Sequence, residues 1–461
     1  MTTEMRNPND IRADFSAAMS AMYRSEVPAY GDLIDIVAGI NRQVLQSGAG
    51  AHLNLTPHED TDRISQERHG AIRLGTPAEL AMMGRVFAVM GMAPVGYYDL
   101  SVAGVPVHST AFRPVRREDL AHNPFRVFTS LLRLELITDD ALRAKAETAL
   151  AARSIFTPRA IEFTERAEAD GGLSADDAAA FVAEVLETFR WHARACVDAQ
   201  TFTALKDAHR LVADVVSFQG PHINHLTPRT LDIDAAQRAM IAHGLPAKAI
   251  VEGPPARNCP ILLRQTAFKA LDEPVHFPAE DGSFAEGTHT ARFGEIEQRG
   301  VALTPKGRAL YDRLLAETRE NVLPAADGSN ATAYVATLND VFAAFPDNWR
   351  TLHDEGLAYF KYTVANDAET QSNDVSVLLD RGVLTLSPII YEDFLPVSAA
   401  GIFQSNLGDE AKDDHHAKAS QAAFEQALGQ SVADEFALYA HLQSASLRGC
   451  LEQLAAAGAA A

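Results

Sequence analysis

The amino-acid sequence predicts an α+β protein in which two similar strand-and-helix units flank a helical block. The first unit has the order strand–helix–strand–strand near residues 68–115, and the second has the order strand–helix–strand–strand–strand at residues 218–300. Between them, residues 117–213 carry mainly helical patterns. We therefore expect two facing half-barrels around one site, with a large helical insertion and helical termini.

The first elements follow from local patterns along the chain. Residues 8–47 have apolar side chains at spacings of three and four, which is typical of helices that pack on a core. The alternating stretch from Arg68 to Leu74 predicts a strand. Thr76 and Pro77 then predict a helix start, because Thr is a good N-cap and Pro suits the first helical position.

Later elements complete the predicted division of the chain. A hairpin turn is expected at Ala103-Gly104, and the stretch LLRLELI at residues 131–137 is assigned to the helical block. The expected parts are N-terminal helices at residues 1–50, a first unit at 51–116, a helical insertion at 117–213, a second unit at 214–300, and a C-terminal α/β extension at 301–461 that closes the pocket.

Charge excludes several classes of partner. The chain has 61 acidic and 40 basic residues and a formal net charge of −21. Such a surface repels phosphate backbones and anionic lipids unless it has a basic patch, and no run of Lys or Arg occurs. We therefore expect no nucleic-acid and no membrane partner. An acidic small molecule would need a specific arginine in its pocket.

Cysteine content and apolar runs indicate the compartment. Cys196, Cys259 and Cys450 are far apart and odd in number, which is unlike a disulfide framework and favours a reducing compartment. The sequence contains no secretory h-region and no apolar run of about 20 residues that could span a membrane. We therefore expect a cytoplasmic protein, and the sequence leaves homo-oligomer formation open.

Three side chains from separate predicted strands could meet at a metal ion. His69 begins the first strand of the first unit, His225 lies in the corresponding stretch INHLT of the second unit, and Glu295 lies in its last strand. Two imidazoles and one carboxylate form the facial triad of non-haem Fe(II) oxygenases, which leaves positions open for dioxygen and a 2-oxo acid. A single strand histidine is more often structural, so this prediction depends on all three converging.

Strand parity limits the choice of ligands. His222 and His225 are three residues apart, so only one of them points inward on a regular strand. Glu295 and Glu297 are two residues apart and share a face, so parity leaves both open.

Arg73 lies four residues after His69 and therefore on the same face of the predicted strand. An inward arginine is costly to bury unless it meets a carboxylate. That carboxylate is either the far end of a substrate or a structural partner such as Glu295, Glu297 or another acid. The sequence leaves both alternatives open.

Three motifs, in order, resemble the 2-oxoadipate dioxygenase/decarboxylase family of the vicinal oxygen chelate superfamily. They are RHGAIRLG at residues 68–75, INHLTPRTLDID at residues 223–234 and FGEIEQRG at residues 293–300. The resemblance extends over roughly residues 8–407 and includes the loop DFLPVSAAGIFQSNL. FGEIEQRG is also similar to the strand of 4-hydroxyphenylpyruvate dioxygenase whose first Glu binds iron, which favours Glu295 over Glu297.

The resemblance implies a fold and a site. The fold would be two βαβββ units of the vicinal oxygen chelate type that form a partly open β-barrel around a metal. The residues that match the family's Fe(II) ligands are His69, His225 and Glu295. Arg73 matches a substrate-binding arginine, and Val397 and Ser398 match the loop that helps to hold the substrate carboxylate.

The implied reaction converts 2-oxoadipate and O2 to the D form of 2-hydroxyglutarate and CO2, a step of lysine catabolism. Both oxygen atoms of O2 end in the product, so no separate co-substrate is needed. Two other functions stay open from the residues alone. One is a lyase or isomerase of the same superfamily that uses zinc or manganese on a small oxo acid. The other is a non-enzymatic protein that binds a small molecule.

Overall fold

The computed structural model describes residues 4–48, 59–268, 272–290, 292–325, 327–365, 373–395 and 414–460. The fold is α+β, as predicted, with one mixed five-stranded sheet and three two-stranded sheets in these ranges.

The helices are α1 Pro8–Glu26, α2 Pro28–Ser47, α3 Glu59–Gln66, α4 Pro77–Val89, α5 Arg117–His122, α6 Asp140–Ala152, α7 Pro158–Asp170, α8 Ala175–Phe189, α9 Ala199–Ala208, α10 Arg210–Ser217, α11 Ile233–Ala242, α12 Pro305–Asn321, α13 Ala331–Phe342, α14 Trp349–Asp354, α15 Val375–Asp380, α16 Asp414–Leu428 and α17 Glu435–Ala460. The strands are β1 Arg68–Leu74, β2 Ala93–Asp99, β3 Val107–Arg113, β4 Arg126–Leu132, β5 Leu226–Pro228, β6 Leu263–Ala267, β7 Glu273–Pro278, β8 Phe284–His289, β9 Glu295–Arg299, β10 Phe360–Val364 and β11 Leu384–Pro388.

The five-stranded sheet has the order β2-β3-β4-β1-β5. Strands β1 and β4 run parallel, while the other neighbours are antiparallel. A parallel pair needs a crossover connection, and here α4 with the strands β2 and β3 provides it. The register places His69 beside Arg126 of β4 on one side and beside Thr227 of β5 on the other.

Strand β1 alternates between two environments, as its sequence predicts. Ile72 and Leu74 lie in the large apolar core that also contains side chains of the N-terminal helices, α4 and α8. His69, Ala71 and Arg73 point to the opposite face, because successive side chains of a strand alternate. The proposed ligand His69 and Arg73 therefore share a face.

The end of β1 is fixed by a capped helix. The Thr76 hydroxyl accepts a hydrogen bond from the backbone N–H of Glu79, and the Glu79 carboxylate accepts one from the Thr76 backbone, which is a capping box. Pro77 occupies the first turn, as predicted. Arg153 at the end of α6 holds the same Glu79 carboxylate through hydrogen bonds of 2.7 and 2.8 Å.

The assignment of LLRLELI to the helical block is wrong. Leu131 and Leu132 end β4, a central strand of the sheet, and a short 3-10 turn at Leu134–Leu136 follows. Every residue of β4 is buried. A strand that is buried on both faces has no polar–apolar alternation, so periodicity does not distinguish it from a helix. Helices α6 to α10 follow β4 and form the helical stretch.

The second unit is less regular than predicted. Strand β5 begins at Leu226, so His225 lies just ahead of it and not within a strand. Strands β6 and β9 pair antiparallel, and a bridge between Arg229 and Glu297 joins β9 to the end of β5. Strands β7 and β8 form a separate hairpin. Isolated bridges at Ala247 and Glu252 join the segment after α11 to Phe268 and to Gln265 of β6.

Two general expectations can be compared with the structure directly. All three cysteines are free thiols, with Cys196 exposed and Cys259 and Cys450 buried. Among the helices in the described ranges, none combines the length and the apolar character that crossing a membrane requires.

Candidate metal centre

The three candidate ligands His69, His225 and Glu295 converge at one buried place. Their potential metal-binding atoms all lie within 4.8 Å of one another. Nε2 of His69 is 3.2 Å from Oε1 of Glu295, and Nε2 of His225 is 3.8 Å from the same oxygen. Two ligands that are each about 2.1 Å from one ion lie about 3 Å apart when they occupy neighbouring coordination positions. The arrangement is therefore close to the geometry of a single metal site.

Several polar atoms at this place make no hydrogen bond within the described part of the chain. They include both ring nitrogens of His225 and Oε2 of Glu295, and all three side chains are at most 1% exposed. A buried polar atom without a partner costs about 1–3 kcal/mol, so such atoms are rare. Imidazole nitrogens and carboxylate oxygens are good ligands for divalent transition-metal ions. The residues therefore fit a divalent metal ion.

Two neutral side chains orient the Glu295 carboxylate. Thr227 of β5 donates a hydrogen bond to its Oε1 at 2.9 Å, and Gln265 of β6 donates another at 3.0 Å. Because both hydrogen bonds go to Oε1, the other carboxylate oxygen, Oε2, stays available to a metal ion. No local pattern in the sequence indicates these two residues, which approach Glu295 through strand pairing.

The His69 ring lies between the two carboxylates of β9. Its Nε2 faces Glu295, and its Nδ1 is 3.1 Å from Oε2 of Glu297, at an angle poorer than that of a good hydrogen bond. Arg299 holds the Glu297 carboxylate with hydrogen bonds of 2.8 and 3.0 Å. The two glutamates share a face, as parity predicts, but tertiary contacts give them different surroundings. Glu297 lies behind His69 and does not belong to the triad.

Charge around the triad controls which groups carry protons. Burial lowers the pKa of His225 to about 4, so its imidazole is neutral at pH 7. Burial also acts to lower the pKa of His69, but the carboxylates of Glu297 and Glu295 outweigh it and raise that pKa. Burial opposes ionisation of Glu297, but Arg299 and His69 lower its pKa to about 2. Without a metal ion, the carboxylates thus draw a proton to His69, and metal binding would release it.

A largely buried network of arginines and carboxylates lies behind Glu297. Its members are Arg63, Glu67, Arg113, Arg126, Arg229, Glu297, Arg299, Glu392 and Asp393. Glu67 is fully buried and accepts hydrogen bonds of 3.0 Å from both Arg126 and Arg229. Buried charges are tolerated only when they are paired and hydrogen-bonded with good geometry. The network therefore holds β1, β4, β5 and β9 in fixed relative positions.

The same network holds the chain segment at residues 391–395 against the site. Arg113 binds Asp393 through hydrogen bonds of 2.6 and 3.0 Å. Arg299 donates hydrogen bonds to the backbone oxygens of Tyr391 and Asp393. As a result, the Phe394 ring packs against His69 with 4.9 Å between ring centroids.

Known proteins of one family match this chain over most of its length. The sequence profile of the 2-oxoadipate dioxygenase/decarboxylase family matches residues 15–406. The chain is 56% identical over 454 residues to the 2-oxoadipate dioxygenase/decarboxylase of Pseudomonas putida, across 97% of this chain and 97% of that one. It is 54% identical to the protein of the same name from Escherichia coli, across 96% of this chain and 98% of that one.

The chain belongs to the 2-oxoadipate dioxygenase/decarboxylase family. This confirms the resemblance that the three sequence motifs indicated. A solved structure agrees: the crystal structure of hydroxyglutarate synthase from Pseudomonas putida in complex with 2-oxoadipate matches with a TM-score of 0.90 and 53% identity, covering 98% of this chain and 100% of that one.

In this member of the 2-oxoadipate dioxygenase/decarboxylase family, Arg73 has an acidic partner that the sequence did not reveal. Its Nη1 donates a hydrogen bond of 2.7 Å to Oδ2 of Asp214 in α10. Oδ1 of Asp214 is 2.8 Å from Nε2 of His289 and 3.4 Å from Nε2 of His222. His222 thus lies beside Asp214 rather than in the triad. One usable signal was present, because Asp214 is an isolated acid in the apolar run LVADVV.

The proposed loop residues of the substrate site stay a prediction. Val397 and Ser398 lie outside the described residues, although residues 391–395 lead directly to them.

The contact between Glu297 and His69 gives a testable prediction. A carboxylate behind a metal-binding histidine fixes the ring and raises its basicity, and its loss typically weakens metal binding about 10–100-fold. We expect Glu297→Gln to weaken binding of Co(II) by that factor, measured by calorimetric titration of the metal-free protein. Glu392→Gln is the matched control, because Glu392 belongs to the same network but makes no contact with His69. Equal Co(II) affinity in wild type and a folded Glu297→Gln variant would contradict this role.

Proposed function

We propose that this chain is an Fe(II)-dependent 2-oxoadipate dioxygenase/decarboxylase that converts 2-oxoadipate and O2 to D-2-hydroxyglutarate and CO2 in lysine catabolism. The observation that carries the proposal is the buried triad of His69, His225 and Glu295 with donor atoms that lack partners. The substrate is supported by the names of relatives that are 54–56% identical to this chain. A cytoplasmic location agrees with the free cysteines.

The side chains at this site have two different proposed roles, namely metal binding and shielding of the metal ligands from water. A bound Fe(II) ion would supply chelation of the 2-oxo acid group and activation of O2. His69, His225 and Glu295 would hold that ion from one side, which leaves the other side for the substrate. Phe394 packs on the His69 ring, and Phe293 packs on the His225 ring at 4.8 Å between centroids. These apolar rings shield the ligands from water.

The proposed stoichiometry balances without another reductant. One carbon leaves as CO2, one oxygen atom enters the new carboxylate, and the other becomes the hydroxyl group on the neighbouring carbon. Reduction of O2 takes four electrons. Oxidative decarboxylation supplies two of them, and hydroxylation of the C–H bond supplies the other two. Both oxygen atoms therefore remain in 2-hydroxyglutarate.

Arg73 is the proposed anchor for the far carboxylate of the substrate. It shares a face of β1 with His69, and its side chain is 13% exposed. A guanidinium presents five N–H donors in a planar fork that matches carboxylate geometry, so it can bind more than one acid. In a chain with a net charge of −21, a specific cation is needed to attract a dicarboxylate. Val397 and Ser398 are proposed to help hold the same carboxylate.

We also propose that the metal lies between two units of the vicinal oxygen chelate type, which together form a partly open β-barrel. The order β1-α4-β2-β3-β4 supports this for the first unit, and β5, α11, β6 and β9 support it for the second. The candidate ligands come from equivalent places, since His69 lies in the first strand of its unit and His225 lies just before the first strand of the other.

Oxygen uptake tests the proposed reaction. Protein loaded anaerobically with Fe(II) is mixed with O2 and one of four acids: 2-oxoglutarate, 2-oxoadipate, 2-oxopimelate or the monocarboxylic 2-oxohexanoate. We expect the fastest uptake with 2-oxoadipate and one CO2 released for each O2 consumed. Product formation without O2 consumption would indicate a lyase or isomerase instead. Equal rates with 2-oxohexanoate would contradict recognition of a dicarboxylate.

Replacing Arg73 tests the substrate anchor separately from the metal site. A hydrogen bond between charged groups contributes about 1.5–3 kcal/mol, so Arg73→Ala should lower kcat/KM for 2-oxoadipate about 10–100-fold. Binding of Co(II), measured by titration, should stay at the wild-type value because Arg73 is not one of the three ligands. Arg73→Lys keeps the positive charge but lacks the planar arrangement of N–H donors. Its kcat/KM should lie between the values of wild type and Arg73→Ala. Unchanged kinetics in Arg73→Ala would remove Arg73 from the substrate site.

A further inference from the structure

Three polar side chains outside the metal triad form a cluster in which an aspartate contacts the guanidinium of Arg73 and two histidines lie beside that aspartate. Asp214 accepts the hydrogen bond from Arg73 at 2.7 Å and another from His289 at 2.8 Å, and His222 lies 3.4 Å from the same carboxylate. We call Asp214, His222 and His289 the Asp214 cluster. Its members come from α10, from the loop before β5 and from the end of β8.

The Asp214 cluster is buried and enclosed by aromatic rings. Asp214, His222 and His289 are 7%, 2% and 9% exposed. The Trp191 ring packs edge-on against His222 at 4.8 Å, and the Phe218 ring stacks on His289 at 4.9 Å between centroids. Rings packed in this way have little rotational freedom, so His289 holds the carboxylate in one orientation and His222, whose Nε2 is hydrogen-bonded with Asn224, packs beside it.

This burial is more than Arg73 needs for charge compensation. A partly exposed arginine can be neutralised by a mobile surface acid, whereas a buried carboxylate costs desolvation energy that only good partners offset. Here the acid that holds Arg73 lies on α10 and is itself held by His289 at the end of β8. The arrangement therefore specifies the position of the guanidinium, as well as balancing its charge.

Position matters because the two ends of a 2-oxo dicarboxylate must be bound at once. His69 and Arg73 are four residues apart on β1, so their Cα atoms are about 13 Å apart along the strand. The flexible side chain of Arg73 spans part of this distance, and its contact with Asp214 determines the position of its guanidinium group. One methylene group more or less in the substrate would move the far carboxylate relative to a fixed guanidinium.

We propose that Asp214, held by His289 and packed beside His222, is a positioning residue that sets the distance between Arg73 and the metal centre and so selects the chain length of the 2-oxo dicarboxylate. The inference rests on the proposed function, because it requires Arg73 to bind the far carboxylate. Asp214 acts through Arg73 and is not itself a ligand of the substrate.

Selectivity of an Asp214→Asn variant tests the proposal. The amide has the shape of the carboxylate but lacks its charge, so it holds Arg73 less firmly. We expect kcat/KM for 2-oxoadipate to fall about 10–100-fold, mainly through KM. The preference for 2-oxoadipate over 2-oxoglutarate and 2-oxopimelate should fall at least about tenfold. Anaerobic calorimetry should show weaker binding of 2-oxoadipate to the Co(II)-loaded variant, with Co(II) affinity unchanged.

Two comparisons separate positioning from a general structural role. In an Arg73→Ala background, Asp214→Asn should have no further effect on kcat/KM or on selectivity, because Asp214 acts through Arg73. Asp272→Asn is the matched control, since Asp272 lies next to the same hairpin, contacts Thr290 and makes no contact with Arg73. It should keep the wild-type selectivity. If Asp214→Asn does not fold, His289→Gln should show the same loss of selectivity to a smaller degree.

The outcomes distinguish this proposal from the proposed function. A wild-type enzyme that consumes O2 with 2-oxoadipate, together with Asp214→Asn that keeps its chain-length preference, overturns only the positioning role. An equal rise of KM for all three dicarboxylates also overturns it, because that result indicates charge balance alone. A wild-type protein that consumes no O2 with 2-oxoadipate would contradict the proposed function itself.

Discussion

The rest of the site depends on one buried contact, in which the His69 imidazole of β1 lies between two carboxylates of β9. Glu295 faces one ring nitrogen at 3.2 Å and Glu297 faces the other at 3.1 Å. Two negative charges in a fully buried interior are unfavourable unless positive charge meets each of them. The surrounding structure places arginines at Glu297, and it places the imidazoles of His69 and His225, the candidate metal ligands, at Glu295.

As a result, Glu295 and Glu297, which lie two residues apart on β9, have different surroundings. Arg299 and Arg126 balance the negative charge of Glu297. That carboxylate therefore has a structural role and orients the His69 ring. In the part of the chain that the structure describes, the hydrogen bonds to Glu295 come from the neutral side chains of Thr227 and Gln265, so a bound cation could balance its charge. The arginine network continues to Asp393 and holds Phe394 on the His69 ring. Scaffold and site are thus one electrostatic system.

Sequence patterns predicted the parts of this system that have local causes. Alternation predicted β1, and the capping residues predicted α4. Strand β4 was missed because it is buried on both faces. Spacing left Glu295 and Glu297 equivalent, since only tertiary partners distinguish them. The contact between Arg73 and Asp214 joins residues 141 positions apart, and a long-range ion pair leaves no local pattern in a sequence. The three candidate ligands were predicted from residue type and strand position, and the family motifs favoured Glu295 over Glu297.

We propose that His69, His225 and Glu295 together hold one metal ion and leave one side of it open. The most direct test is a crystal structure of the anaerobically Fe(II)-loaded protein, with anomalous scattering at the iron edge to locate the ion. We expect one ion about 2.0–2.2 Å from a nitrogen of each histidine and an oxygen of Glu295, with water in the remaining positions. An ion bound by Glu297, or one that lacks either histidine, would contradict it.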